Sequence, residues 1–179
     1  MFKYLIQDLK WALGYLPYGL LAAGVLFVFF SARNVSRMKQ GQETRPIMSS
    51  VAFCTYLLIV FCLTLLSREQ GSTIKIDLEI GSTLRINARN NAYVVENILL
   101  FIPYGFCLAW RFGSRKRWSV NIFTGLLSTL AVEYTQLLTG RGVFQIDDIL
   151  TNVLGCVLGL ICYAVYEAVA GHGKVSEVT

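Results

Sequence analysis

The chain has 179 residues, 55% of them apolar and 15% charged, against about 45 to 50% apolar and about 25% charged in an ordinary soluble domain. That composition excludes a disordered chain and a generic soluble domain. The formal charge of +5 marks no nucleic-acid surface, because the basic residues sit in short clusters between apolar runs, where they act as topology signals.

A helix that crosses hydrocarbon needs about 20 mostly apolar residues, and five stretches qualify. Residues 11–32 carry no charge. Their apolar run is longer than the roughly 7 to 15 residues of a signal-peptide core, and Arg33, Arg37 and Lys39 follow it as a stop-transfer flank, so it reads as a retained helix. Residues 47–67 are likewise uncharged. In the loop at 68–93, Ile74, Ile76, Leu78 and Ile80 alternate with charged residues, which is strand periodicity. Gly81-Ser82 then precedes a second alternation through Leu84, Ile86 and Ala88, which predicts a β-hairpin with a two-residue turn. The third span, 94–110, contains Glu96 and a Pro103/Gly105 pair that predicts a kink. Residues 118–138 carry Glu133; residues 149–170 carry Glu167 and the small-residue step Gly155/Gly159, which lets another helix approach closely. Cys54, Cys62, Cys107, Cys156 and Cys162 lie inside these apolar runs without a CxxC pair, and His172 is the single histidine. Neither a disulfide framework nor a zinc site is implied.

The fold expected is all-α: a polytopic membrane helix bundle of about five transmembrane helices with a short extracytoplasmic β-hairpin. Its parts are 1–93, two helices and the hairpin loop; 94–170, a core of three helices; and 171–179, a short tail. Arg33, Arg37, Lys39 and Arg45 after the first span, and Arg111, Arg115, Lys116 and Arg117 after the third, put those loops in the cytoplasm. The N-terminus is then outside and the C-terminus inside.

With that orientation the polar residues of the last three spans gather at the outer end. Glu96 and Asn97 open the third span, Glu133 and Gln136 lie near the end of the fourth, and Asp147, Asp148 and Asn152 surround the start of the fifth. Arg141 lies in the connecting loop, able to offer these carboxylates a cation. Glu133 and Gln136 are three residues apart and Asp148 and Asn152 four, so each pair shares a helix face. Intramembrane acids face the bundle interior and mark function or pairing. Two readings stand: a site that binds or processes a ligand, and an interhelical clamp in which Arg141 neutralises an Asp while Asn97, Gln136 and Asn152 hydrogen-bond neighbouring helices. Asn121, away from the group, reads as packing, and Glu167 as snorkelling to the interface.

The ordered set Val95-Glu96-Asn97-Ile98-Leu99-Leu100-Phe101-Ile102-Pro103-Tyr104-Gly105-Phe106, then Glu133-Tyr134-Thr135-Gln136, Arg141, Asp147-Asp148 and Asn152 with Gly155 and Gly159, resembles the VanZ-like family of bacterial membrane proteins. The resemblance covers about 94–159 and makes 94–170 a VanZ-like core, with the first two spans outside the clear match. It implies a multi-pass protein of the bacterial cytoplasmic membrane that lowers sensitivity to glycopeptides such as teicoplanin, drugs that bind the D-Ala-D-Ala end of cell-wall precursors. The family's polar signature falls on Asn97, Glu133, Gln136, Arg141, Asp148 and Asn152.

Two functions follow as expectations. In the first, the outward polar site, with Asn97, Gln136, Asp147 and Asn152 as ligand-binding residues, takes a lipid-linked cell-wall precursor or a glycopeptide lipid tail. In the second, the protein is an intramembrane enzyme on such a precursor. Glu133 or Asp148 would then be general base or divalent-metal ligand, Arg141 would hold a phosphate or carboxylate, and Asn97 would orient the substrate. The enzyme reading lacks a Ser, Cys or His beside an obvious base. No cofactor is expected, although carboxylates and amides without histidine suit a hard divalent cation better than zinc. The partners expected are membrane lipids and no nucleic acid; nothing in the pattern selects an oligomeric state.

Overall fold

A computed structural model describes residues 1–66, 71, 76–83, 87–113 and 118–175, the last five by their backbone alone. Six α-helices carry the fold: α1 (Phe2–Leu13), α2 (Leu16–Lys39), α3 (Ile47–Phe61), α4 (Ala88–Phe112), α5 (Trp118–Thr139) and α6 (Ile146–Val175). A π-helical turn, Cys62–Leu66, continues α3, and two short strands, β1 (Ile76–Asp77) and β2 (Phe144–Gln145), lie in the connecting loops.

Local chemistry sets these boundaries. Pro17 sits in the first turn of α2, where its missing amide costs nothing and its fixed φ suits the helix. Asn87 caps α4, its side chain accepting from the amides of Arg89 and Asn90 at 2.9 Å each, and so satisfies donors a helix start leaves orphaned. At the other end of α4, Gly113 takes φ +88°, and Asn121 of α5 donates to its carbonyl at 2.8 Å. Inside α4, Pro103 withdraws the amide that would bond Leu99, and Tyr56 of α3 donates its hydroxyl to the adjacent Leu100 carbonyl at 2.8 Å. Pro103 therefore falls where α3 supplies a side-chain donor.

By length and composition four helices suffice to cross a membrane: Leu16–Lys39, Ile47–Leu65, Ala88–Phe112 and Ile146–Ala170. The chain is a multi-pass membrane protein built as an all-α bundle. α5, which carries Asn121, Glu133 and Gln136 on its buried face, is not one of these four.

The core is the α4–α6 pair. A Cβ at Gly155 would fall on the Ile98 carbonyl, and one at Gly159 on the Ile102 carbonyl. Both positions advance by four residues together, so α4 and α6 run parallel at backbone contact distance, as a small-residue step permits. Phe101, Tyr104 and Leu108 of α4 pack with Cys156 of α6 and Val60 of α3. α5 runs antiparallel to α6: Gly125 lies against Cys156, and Thr129 accepts from Asn152 at 2.8 Å. α2 buries no residue and leans on α3 through Gly19, where a Cβ would meet Ile59.

Three local differences from the sequence reading stand out. The first apolar run breaks at Gly14–Tyr15, leaving α1 as a separate helix with Phe2, Ile6, Leu9 and Leu13 exposed along one face. The strand at Ile76–Asp77 pairs in parallel with Phe144–Gln145, a partner 68 residues away. Residues 84–86, needed for the expected second arm, lie outside the described residues, while Ala88 already belongs to α4. All five cysteines are free.

Candidate functional site

The buried face of α5 is a polar stripe: Asn121, Gly125, Thr129, Glu133 and Gln136 recur at steps of three or four, which stacks them on one side of a helix. α6 meets it through Asn152 and Cys156 and buries Asp148 one turn before Asn152. The antiparallel register of Gly125 with Cys156 and Thr129 with Asn152 moves four residues on each helix per step. One step further sets Glu133 level with Asp148. Both are buried, with 1% and 5% of their surface exposed, so two carboxyl groups from different helices occupy one layer of the bundle.

Around that layer each polar group is positioned by its element. Glu133 Oε2 accepts the Gln145 backbone amide at 3.1 Å, which ties β2 to α5. Gln136 Nε2 donates to the Thr64 carbonyl at 2.9 Å, and Arg141 Nη1 donates to the Leu65 carbonyl at 3.0 Å. Both carbonyls belong to the π-helical turn, a geometry that disturbs the regular ladder and recurs at functional sites. Arg141 also bonds the Gln136 carbonyl through its own backbone amide at 2.9 Å. The cation expected beside the carboxylates thus sits half-buried at the end of α5 with one nitrogen on the chain of α3.

Asp147 and Asp148, adjacent in sequence, point to different tasks. Asp147 accepts the amides of Gly81 and Thr83 at 2.8 and 2.9 Å, so its carboxylate clamps the α3–α4 loop onto the start of α6. Asp148 is turned into the bundle at the level of Glu133. Both lie in the first turn of α6, where the helix dipole favours negative charge.

Three amide atoms here are buried without a hydrogen-bond partner among the described residues: Asn97 Nδ2, Gln136 Oε1 and Asn152 Oδ1. Asn97 is a half-buried residue of α4, Gln136 is the last buried residue of α5, and Asn152 lies one turn into α6 beyond Asp148. The structure brings Glu133, Gln136, Asp148 and Asn152 into one buried layer, with Arg141 at its edge. Among the described residues no group of three His, Cys, Asp or Glu side chains is arranged to hold a metal ion; any cation here would need amide oxygens beside the carboxylates.

Sequence reasoning passed over Thr129, completely buried and bonded to Asn152, and assigned Asn121 to packing apart from the group. The signal for both was the stripe itself, since Asn121, Gly125, Thr129 and Glu133 follow at four-residue steps. The contribution of α3 left no such signal, because Thr64 and Leu65 take part through their carbonyls, which every residue has.

The VanZ/LLP1 family model matches residues 53–167, more than half of the chain. The chain belongs to the VanZ/LLP1 family. No curated protein and no solved structure matches it. The VanZ match begins inside α3, so it takes in the second apolar helix that the motif resemblance left out. The bonds from Gln136 and Arg141 to the end of α3 give the physical reason: the polar layer is closed by that helix.

Proposed function

We propose that this VanZ-type protein lowers sensitivity to glycopeptide and lipoglycopeptide antibiotics such as teicoplanin through an outward-facing polar site between α4, α5 and α6. The observation that carries this reading is the pair of unmet amide oxygens, Gln136 Oε1 and Asn152 Oδ1, one turn from the buried carboxyl groups of Glu133 and Asp148, with the unmet Asn97 Nδ2 on α4. An unsatisfied polar atom in a bundle surrounded by hydrocarbon is costly, so this layer is built to receive a polar group. The head of a lipid-linked cell-wall precursor suits it, with the lipid lying along the apolar outer faces of the helices; the lipid tail of a drug is the other ligand. The protein sits in the bacterial cytoplasmic membrane with its N-terminus outside. Because α4 and α6 are parallel and each is long enough to cross, the chain returns through α5, whose 22 residues span about 33 Å. That makes five crossings and puts the C-terminus in the cytoplasm.

The pairing of Glu133 with Asp148 at one level favours a second reading, an intramembrane enzyme acting on the same precursor. Two carboxyl groups at one level of the bundle offer a base or, with the amide oxygens, ligands to a divalent cation. Arg141 then holds the phosphate of the substrate, and Asn97 orients it.

One experiment tests both. Teicoplanin susceptibility is measured in a null bacterial host expressing wild type, Glu133→Gln or Arg141→Ala at matched membrane levels. Gln at 133 retains an oxygen for the Gln145 amide, so insertion is preserved while protection is lost if the carboxylate acts. Protection by Glu133→Gln equal to wild type overturns the role of this carboxylate, and equal protection by all three reduces the layer to an interhelical clamp. Turnover of a lipid-linked precursor by purified wild type, absent in Glu133→Gln, separates the enzyme from the binding protein.

A further inference from the structure

At the end of the bundle opposite the polar layer, the last turns of α2, the start of α3 and the end of α4 border an open cavity of about 110 Å³ lined by Arg33, Arg37, Arg45 and Arg111, with Phe30 on its wall; Arg33 and Arg45 are exposed and Arg37 and Arg111 half-buried. At roughly 30 Å³ per water, the cavity has room for a few waters or one phosphate group. Arg33 and Arg37 are four residues apart and share a face of α2. The loop that delivers Arg45 is pinned: Asn34 donates to the Arg45 carbonyl at 2.8 Å and accepts its amide at 3.1 Å, while Arg37 Nε donates to the Glu43 carbonyl at 2.8 Å. None of the four arginines has an acidic partner among the described residues; the salt bridge described there, Arg89–Asp8, is at the other end of α4.

The start of α3 adds to the positive field. Its cap residue, Pro46, supplies no side-chain bond, and Ser50 turns its hydroxyl back to the Pro46 carbonyl at 2.7 Å. The first amides of α3 are left to face an anion. Among the described residues Arg37 keeps its Nη atoms free of hydrogen bonds and Arg111 lies over the Phe112 ring, so four cations without an acidic partner converge on one site that suits a polyvalent anion, and the planar fork of arginine matches phosphate oxygens two at a time.

We infer that this cavity binds a phosphate group, and that the phosphate is the headgroup of an anionic phospholipid in the leaflet at this end of the bundle. The lipid is favoured as the source because the cavity opens at the ends of membrane-crossing helices with an aromatic ring in its wall, and basic pockets between such helices take lipid headgroups. The inference is independent of the polar layer and of drug sensitivity.

The test uses full-length protein in phosphatidylcholine nanodiscs containing a minor share of phosphatidylglycerol, with bound lipid counted by native mass spectrometry. Wild type should retain phosphatidylglycerol selectively. Arg33→Gln and Arg45→Gln should each lower its retention about fivefold, in line with the contribution of one basic residue near a charged membrane surface, and Arg45→Lys should restore part of it. Arg89→Gln, at the other end of α4, should bind as wild type does. Undiminished retention in both Gln variants, or equal loss in Arg89→Gln, overturns the inference. Displacement of the lipid by inorganic phosphate but not by chloride at equal ionic strength assigns the cavity to free phosphate and overturns the lipid source.

Discussion

Both oxygens of Asp147 accept backbone amides, from Gly81 and Thr83, whereas its neighbour Asp148 is buried at the level of Glu133. Asp147→Asn replaces one acceptor by a donor aimed at an amide, so about 1 to 3 kcal/mol of stability should be lost, read as a lower thermal midpoint in detergent. Asp77 is the acid for which pH matters in the exposed loop. The Ser82 hydroxyl and the Glu79 amide hold its carboxyl below the usual aspartate range. A depressed carboxyl stabilises above its unfolded pKa, and that stabilisation disappears as pH falls through the folded value. Amide exchange at Glu79, corrected for the intrinsic rate, should therefore accelerate at the acid end of the aspartate range in wild type and show no such step in Asp77→Asn. The pair Asp147-Asp148 was visible in the sequence as two acids at a helix start. Which one clamps and which one faces inward depends on a loop more than 60 positions away.

At the scale of elements, the contact between α4 and α6 rests on glycine. A methyl group at Gly159 would strike the Ile102 carbonyl and the Phe106 amide, main-chain atoms that cannot rotate aside. Gly159→Ala should cost about 1 to 3 kcal/mol, the usual range for overpacking. Gly24→Ala, with nothing within 4 Å of the added carbon, should leave the thermal midpoint unchanged; equal effects at both sites would refute the close α4–α6 approach. The Gly155/Gly159 step was legible as a packing motif, but its partner was not, since small residues advertise close approach without naming what approaches. β1 illustrates the converse. Its alternation announced a strand, yet pairing with β2 follows from α5 and α6 bringing Phe144–Gln145 alongside, and a two-residue ladder is too short to leave its own pattern in the sequence.

Taken whole, the molecule is polarised. Buried acids and amides occupy the end where α4 and α6 begin, and the arginine cavity lies at the end where α2 and α4 finish. Labelling from each side of the membrane checks how this axis is set. In a background without the five native cysteines, Gln145→Cys should react with an impermeant reagent from outside and Ser114→Cys only from inside. The reverse pattern would turn the polar layer toward the cytoplasm and refute its envelope-facing role. α2, which buries no residue, supplies Arg33 and Arg37 to the arginine end, and α1 is tied to the opposite end of α4 by the Arg89–Asp8 bridge and by Arg89 over the Tyr4 and Tyr93 rings.

Membrane residence, the helix-rich class, the approximate spans and the family were all written in one dimension. Long apolar runs, charge clusters beside them and an ordered set of polar residues are local in the chain, and hydrocarbon leaves a helix few alternatives because each must satisfy its own backbone. The level pairing of Glu133 with Asp148, the division of labour between Asp147 and Asp148, the carbonyls lent by the π-helical turn and the meeting of Arg33, Arg37, Arg45 and Arg111 were decided only by tertiary structure. Each depends on the register between helices, and register is set by which backbones can touch, a property of pairs of segments that no single segment carries.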